Sequence, residues 1–486
     1  MRFKCVLGIV GMLFFVVGLS MLLPLGVAIY FDEPRVAWTM FACLLLLVVT
    51  GASLSFFINS KNIEELSHRE GMFTVGFGWL IICLFGALPY LLSGVLTSVP
   101  DAIFESFSGF TTTGASIIPD VENLPQGMLV WRALSLWLGG IGIIVMFLAM
   151  LPFLGIRGAQ VYRAELPEFF GEKVTPRVKE TVKALCVAYF LFTFVLFWLF
   201  FFGGMTTIDA LCHTFTIVAS GGFTNYNNSM ALYTSPFLQW VMIVFMFLTG
   251  MNYTIHYKLL QGRFSVLVKD EELRFYFLLV LFSTAVIAMF TVPEKSRDVA
   301  LLESSVRTSL FHVVSIISTT GVTTTDYTLW PFLPQALLLV LMFIGGCGGS
   351  TSGGFKCMRV LLLLKCAYDE LVMTLHPRAI RHLKLGKTSI SNDVVNSVLN
   401  YFIIFLGIML CCALLLAVSG LDLLTSFSSA ISCISCVGPA FGLPGADSDY
   451  SGFSDFAKLC LSLTMLLGRI EIYAVLVLVM PAFWRD

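Results

Sequence analysis

Charge is what this sequence has least of. Only 12% of its 486 residues are Asp, Glu, Lys or Arg, against 58% apolar, about half the charged share of an ordinary soluble domain. A water-soluble fold of this length needs more polar surface than that, whereas lipid tolerates an apolar exterior. The solvent is therefore a lipid bilayer. The net charge of −1 argues against a nucleic-acid partner, because phosphate binding needs a clustered positive field rather than a balanced total. Cys433 and Cys436 form a C-x-x-C with no second ligand pair, which argues against a metal or redox centre. The remaining cysteines lie mostly inside apolar runs, as at Cys43, Cys83, Cys186, Cys411 and Cys412, and read as buried free thiols. No nucleophile–base constellation is present, so the chain is not expected to be an enzyme, nor to carry a covalently bound cofactor. The glycine-rich stretch at 345–356 lacks the G-K-[ST] ending of a phosphate loop, since Lys356 follows Phe355 and precedes Cys357.

What is present is a series of long apolar runs. A helix crossing about 30 Å of hydrocarbon needs about 20 residues. Runs of that order lie at 5–30, 36–58, 72–97, 128–152, 182–203, 236–256, 273–292, 331–346, 394–419 and 457–482, which predicts ten spans. The eighth reaches glycine-rich sequence early and apolar residues resume at Val360, so it reads as a broken helix. The first run is too long for a signal-peptide core and should stay as a membrane helix. Lys and Arg collect at 153–183, 258–274 and 356–387, which places those segments in the cytoplasm. The segments 98–131, 204–240 and 420–457 contain neither residue and face outward. Both termini are then cytoplasmic. The segment 293–330 is weaker evidence, with Lys295, Arg297 and Arg307 beside Glu294, Asp298, Glu303 and Asp326.

The outward segments repeat. Each has a short apolar stretch followed by a small-residue patch: T-T-T-G-A-S at 111–116, A-S-G-G-F-T at 219–224, S-T-T-G-V-T at 318–323 and S-C-V-G-P-A at 435–440. Aligned on Gly114, Gly222, Gly321 and Gly438, the positions four, seven and eleven residues upstream are apolar in every case, from Ile103, Phe107 and Phe110 to Phe427, Ile431 and Ile434. Steps of three and four mark one face of a helix. Asp101, Asp209, Glu303 and Asp422 stand near the starts of these stretches, where a helix N-terminus favours an acid. The expected fold is an all-α polytopic membrane protein of four helix–pore loop–helix units in pseudo-fourfold arrangement. Its divisions are an N-terminal accessory hairpin over 1–70 and repeats over 71–155, 156–262, 263–390 and 391–486.

Non-helical backbone at membrane depth is tolerated only where it lines protein or water, so four such loops should converge on an axis and form a pore. A ring of backbone carbonyls can replace the hydration shell of an alkali cation, and glycine permits the torsions that aim successive carbonyls inward. Anion conduction would show basic residues at the constriction, and the four loops have none. The loop residues expected to bind the ion through backbone carbonyls alone are Thr112, Thr113, Gly114, Ser220, Gly221, Gly222, Thr319, Thr320, Gly321, Cys436, Val437 and Gly438. Gly345, Gly346, Gly348, Gly349, Ser350, Thr351, Ser352, Gly353 and Gly354 interrupt the broken helix. Each glycine there costs about 1 kcal/mol of helix stability relative to alanine, which suits a mobile plug. Arg469 falls in the last apolar run, and an arginine at membrane depth faces a cavity or a partner. It is expected to oppose a cation in the cavity or to hold the glycine-rich loop. His213 and His312 read as packing residues of the second and third short helices.

These motifs carry a resemblance. T-T-T-G-A-S, G-G-C-G-G-S-T-S-G-G-F-K at 345–356 and L-L-G-R-I-E-I-Y at 466–473 are similar to the first filter, the intramembrane loop and the last-helix arginine motif of the Trk/Ktr/HKT superfamily of potassium transporters. Within it, the chain resembles the membrane subunits of bacterial Trk potassium-uptake systems, of the TrkH/TrkG type, over essentially its whole length. The resemblance implies potassium as substrate, one filter glycine per repeat and gating by the loop at 345–354 with Lys356 and Arg469. It also implies a bacterial inner-membrane location, a homodimer and a cytoplasmic nucleotide-binding regulatory subunit. Gly221 before the second filter glycine, and Cys436, Val437 and Pro439 in the fourth loop, depart from the threonine-rich pattern. Proton- or sodium-coupled symport is the alternative mechanism. A midplane-site transporter should show inverted repeats, whereas these units share one direction.

Overall fold

The computed structural model describes residues 3–56, 67–150, 175–291, 299–376, 383–386, 388–445, 449–470 and 472–484. Much of the basic segment 153–183 therefore lies outside the described residues, as do Lys295, Arg297, Arg378, Arg381, Lys387 and Glu471. The described chain is helical apart from a two-stranded antiparallel hairpin, β1 (Lys384–Leu385) and β2 (Thr388–Ser389).

The chain opens with α1 (Phe3–Ser20), α2 (Leu22–Tyr30) and α3 (Pro34–Ser55). Helices α1 and α3 lie against each other because small residues let the backbones approach. A Cβ on Gly11 would stand 2.6 Å from Leu54 Cβ, and one on Gly51 2.6 Å from the Phe15 nitrogen.

Four sets follow. The first has α4 (His68–Phe85), a short α5 (Leu88–Ser93), the half-length α6 (Val99–Phe110) and α7 (Gln126–Met150). The second has α8 (Thr175–Phe202), the half-length α9 (Thr207–Ala219), α10 (Pro236–Gly250) and α11 (Tyr253–Leu260). After a single turn, α12 (Val266–Lys269), the third has α13 (Glu271–Thr291), α14 (Val299–Ile317), α15 (Phe332–Ile344) and α16 (Cys357–Leu375). The fourth has α17 (Asn392–Val418), the half-length α18 (Leu423–Ser435), α19 (Asp455–Arg469), α20 (Ile472–Val479) and α21 (Pro481–Trp484).

The packing closes on itself. Helix α7 lies against both α6 and α9, α10 against α9 and α14, α15 against α14 and α18, and α19 against α18 and α6. The face that each short helix buries is the one its apolar spacing marks: Phe107, Phe215, Val314 and Ile431 are all buried. Acids sit in the first turns of α6 and α9 and at the N-cap of α18, at Asp101, Asp209 and Asp422, whereas Glu303 is the fifth residue of α14, outside its first turn. Asp422 accepts from the Thr425 N–H at 3.2 Å, and Thr206 caps α9 while donating to Asp209 at 2.7 Å.

Seven helices among the described residues are long and apolar enough to cross a membrane, or up to nine if each bent pair is one span; the protein is a multi-pass membrane protein. Three expectations change. The runs 236–256 and 457–482 are not straight spans: α10 meets α11 at 103°, and α19 meets α20 at 118°. The first bend falls where Asn252 caps α11, its side-chain oxygen accepting from the Thr254 N–H at 2.9 Å, and where other backbone takes up the freed groups, as described below. The third short helix is not half-length, since α14 has 19 residues and its apolar part, Ala300–Ile317, is itself long enough to span.

Candidate functional site

Each of the helices α6, α9, α14 and α18 ends in the same unusual turn. The residue two before the aligned glycine is left-handed in every case, with φ of 51° at Thr112, 54° at Ser220, 56° at Thr319 and 54° at Cys436. Its N–H bonds back three residues, and the next N–H bonds back five: Thr113 to Ser108, Gly221 to Thr216, Thr320 to Ser315 and Val437 to Ser432, all at 2.9 Å. This pairing of bonds is the Schellman helix ending, which ordinarily uses glycine at the left-handed position. Here Thr, Ser, Thr and Cys hold it at a cost of about 1–2 kcal/mol each, a strain that persists only where surrounding contacts over-determine it. Gly114, Gly222, Gly321 and Gly438 then follow with φ between 73° and 99°.

Those four glycines touch around a closed circuit. A Cβ on Gly114 would collide with the Gly221 carbonyl oxygen, and one on Gly321 with the Val437 carbonyl oxygen. One on Gly222 would stand 2.6 Å from the Thr320 oxygen, and one on Gly438 2.6 Å from the Thr113 oxygen. The first loop thus abuts the second, the second the third, the third the fourth, and the fourth the first. The backbone beyond the glycines is tied in the same order. Val121 N–H donates to Asn227 Oδ1 at 2.8 Å, Met230 N–H to the Thr323 oxygen at 2.9 Å, Tyr327 Oη to the Ala440 oxygen at 3.1 Å, and Tyr450 N–H to the Ser116 oxygen at 2.9 Å.

The carbonyl oxygens of Thr113, Gly221, Thr320 and Val437 lie on this circuit. All four residues are buried, and among the described residues none of these oxygens accepts a hydrogen bond. Buried carbonyls are nearly always paired, so four unpaired ones in a ring form a ready set of cation ligands. The fourth loop differs in detail, because the Gly438 oxygen accepts from Tyr450 Oη at 2.9 Å. Gly221 is not at a left-handed position; Leu136 occupies the space its Cβ would need, 2.6 Å away.

Side chains of the short helices hold the returning strands. Thr216 and Ser315, six residues before their glycines, donate to the Phe223 and Val322 oxygens, each at 2.6 Å. His312 uses both ring nitrogens, against the Thr308 oxygen at 2.9 Å and the Thr325 oxygen at 3.1 Å. His213 is equally buried, with neither nitrogen hydrogen-bonded among the described residues. In the first loop the holder is Glu105, which accepts from the Ile117 N–H at 2.9 Å and pairs with Arg132 Nε at 2.7 Å. Arg132 also reaches the Thr224 oxygen at 3.1 Å and lies 4.2 Å over the Phe223 ring, bracing the second loop. Sequence reasoning missed this residue because it stands inside α7 just past the cation-free outward segment; the signal was the unpartnered Glu105 on a helix face otherwise apolar. A cavity of about 310 Å³ opens beyond the circuit, lined by Gly114, Gly222, Gly321, Arg132 and Asp449 among others.

The glycine-rich segment between α15 and α16 packs against the opposite end of these turns. Phe355, Lys356 and Cys357 donate back to the oxygens of Phe343, Ile344 and Gly346, folding the segment on itself. Gly345, Gly349, Gly354 and Lys356 take positive φ to allow it. The bend between α10 and α11 receives it: Cys347 N–H donates to the Gly250 oxygen at 2.9 Å and Tyr253 N–H to the Gly349 oxygen at 3.1 Å. Ser350 closes a local turn by donating to the Cys347 oxygen at 2.6 Å and accepting from the Ser352 N–H at 3.2 Å. Gly348 N–H donates to Glu272 at 2.7 Å. The contacts with the turns fall on their strained residues. Thr351 Oγ1 is 2.9 Å from Ser220 Oγ, Gly353 N–H donates to Thr319 Oγ1 at 2.8 Å, and a Cβ on Gly353 would stand 3.0 Å from that of Cys436. Arg469, at the bend after α19, donates from Nη1 to the Thr351 oxygen at 2.7 Å; Nε and Nη2 have no hydrogen-bond partner among the described residues.

The family model for the TrkH cation transport protein matches residues 38–485. The Trk system potassium uptake protein TrkH of Escherichia coli K12 is 35% identical over the full length of both chains, and TrkG of the same strain is 33% identical over 98% of this chain and 97% of its own. The crystal structure of the potassium transporter TrkH from Vibrio parahaemolyticus superposes with a TM-score of 0.90 over both whole chains, at 33% identity. With transporters as its relatives the chain is a transport protein rather than an enzyme, and it belongs to the TrkH cation transport family.

Proposed function

We propose that this chain carries potassium inward across the bacterial inner membrane through one pore, with the four glycine turns as its filter. The observation that carries the reading is the circuit of buried, unpaired carbonyls at Thr113, Gly221, Thr320 and Val437. The oxygens of Thr112, Gly114, Ser220, Gly222, Thr319, Gly321 and Cys436 extend the ligand set; that of Gly438, taken up by Tyr450, makes the fourth quadrant weaker. Fewer equivalent layers than a filter of four identical strands provides make exclusion of sodium less strict than conduction of potassium.

The gate is the segment 345–354, lodged against Ser220, Thr319 and Cys436 and held by Arg469. The basic segments put both termini and the 356–387 region in the cytoplasm, where a nucleotide-binding regulatory subunit would act on the gate. The assembly is a homodimer. The driving force is the membrane potential, about 2.3 kcal/mol per unit charge at 100 mV, or roughly fifty-fold accumulation.

Rubidium uptake into vesicles holding the purified protein tests this, at imposed voltage with and without a proton gradient. Uptake should follow voltage and ignore the proton gradient. Uptake driven by a proton or sodium gradient at zero voltage would establish coupled symport instead.

A further inference from the structure

Glu272 stands in the first turn of α13, 3% exposed. Its Oε1 accepts two backbone N–H groups, from Gly348 at 2.7 Å and from Met358 at 3.1 Å. Those donors sit at opposite ends of the glycine-rich segment: Gly348 near its start, Met358 in the first turn of α16. One carboxylate oxygen therefore fastens both ends of the segment to a single point on a neighbouring helix. Glu271 pairs with Lys365 of α16, and Lys365 Nζ also donates to the Lys384 oxygen of the β-hairpin at 2.9 Å.

We propose that Glu272 is the latch that keeps the intramembrane segment seated, and that the Lys384–Lys365–Glu271 chain is the handle by which the β-hairpin works it; this rests on reading 345–354 as the gate. Pulling the hairpin draws Lys365 off Glu271 and lets the start of α13 move apart from the middle of α16. Those are the two elements whose separation decides whether Oε1 can hold Gly348 and Met358 at once. Both donors are backbone groups, so the latch acts on the segment's position and leaves the filter carbonyls untouched. Glu272 is a positioning residue, acting on flux through the segment and not on ion selection.

The full-length protein in vesicles tests the proposal with two readouts. One is rubidium uptake without any added regulator, with the rubidium-to-sodium ratio. The other is modification by a membrane-permeant maleimide, quantified residue by residue by mass spectrometry. Cys347 lies within the segment and Cys357 just after it, 1% and 0% exposed, and Cys83, 0% exposed on α4, reports general loosening. Glu272→Ala should raise uptake at least five-fold at an unchanged ion ratio and raise labelling of Cys347 and Cys357 but not of Cys83. Glu272→Gln, which keeps an acceptor but no charge, should give a smaller rise in both. Lys365→Gln should raise labelling of the same two cysteines. Unchanged labelling in the Glu272 variants, or a rise shared equally by Cys83, overturns the latch; unchanged labelling in Lys365→Gln overturns the handle. Wild-type vesicles that take up no rubidium would refute the transport reading, while the labelling arm still decides the latch.

Discussion

Thr319 serves two structures at once: it holds the left-handed turn at the end of α14, and its hydroxyl accepts the Gly353 N–H of the intramembrane segment at 2.8 Å. Ser220 does the same for the second turn, against Thr351 at 2.9 Å. The segment 345–354 is thus seated on the left-handed residues of the glycine turns, so a change in either structure is felt by the other.

Thr319→Ala removes the acceptor for Gly353 while sparing the backbone carbonyls. A neutral hydrogen bond contributes about 0.5–1.5 kcal/mol, so the seated state should lose a factor of roughly two to ten in population. Basal rubidium uptake should rise by that factor at an unchanged rubidium-to-sodium ratio. Thr319→Ser, which keeps the hydroxyl, should behave like wild type. An ion ratio that moves as much as the flux would mean that Thr319 acts on the filter alone.

Arg469→Ala should release the segment more strongly, because the bond from Nη1 to the Thr351 oxygen at 2.7 Å is charge-assisted. Such bonds contribute about 1.5–3 kcal/mol, an effect of about tenfold or more on uptake. On the proposed pore reading the guanidinium's positive charge also opposes a passing cation, so its removal should raise flux by a second route. Arg469→Lys keeps the charge without the fork and should recover only part of the wild-type restraint. A fall in flux with normal folding would count against both roles.

The repeat was legible in the sequence because burial imposes a helical period, and Phe107, Phe215, Val314 and Ile431 obey it. The glycines were legible because positive φ excludes most other residues. Nothing in the sequence marks the equally left-handed Thr112, Ser220, Thr319 and Cys436 as strained, since a Thr or Cys does not announce a torsion that only tertiary contacts enforce. The bends after Gly250 and Arg469 were invisible for a related reason. Each run is apolar throughout, and hydropathy measures length through lipid, not direction. Arg132, in the second turn of α7, and Glu272, in the first turn of α13, escaped notice because nothing nearby in the sequence announces a partner for either. Their partners are 27 and 76 residues away in the chain for the Glu105 and Gly348 contacts.

Substitution at the four glycines should not be equivalent. All four would clash with a neighbour's carbonyl oxygen, but Gly114 and Gly321 have that oxygen where a side chain would begin, whereas at Gly222 and Gly438 the Thr320 and Thr113 oxygens stand 2.6 Å away and need a smaller shift. Gly114→Ser and Gly321→Ser should lose folded protein. Gly222→Ser and Gly438→Ser should still assemble, displace one carbonyl each and lower the potassium-to-sodium ratio. Size-exclusion profiles separate the two pairs, and reversal potentials in potassium and sodium report the ratio. Unaltered selectivity in both assembled variants would remove the filter assignment.

The Arg132–Glu105 pair offers a test of how the circuit of glycine turns is held rather than of what it binds. Both side chains are almost wholly buried, at 2% and 0% exposed, and their contact is 2.7 Å. Removing one member strands the other charge in the protein interior, which costs about 3–5 kcal/mol. Arg132→Met should therefore lower the thermal midpoint sharply, and Glu105→Gln should do so as well. The Ile117 N–H and the Thr224 oxygen lose their charged partners in these variants, so the first and second loops should loosen together. The double variant removes both charges and should be more stable than the sum of the two losses implies, a non-additivity of at least about 1 kcal/mol. Strict additivity in thermal or denaturant unfolding would mean that the two side chains brace their loops separately, each through its own backbone contacts.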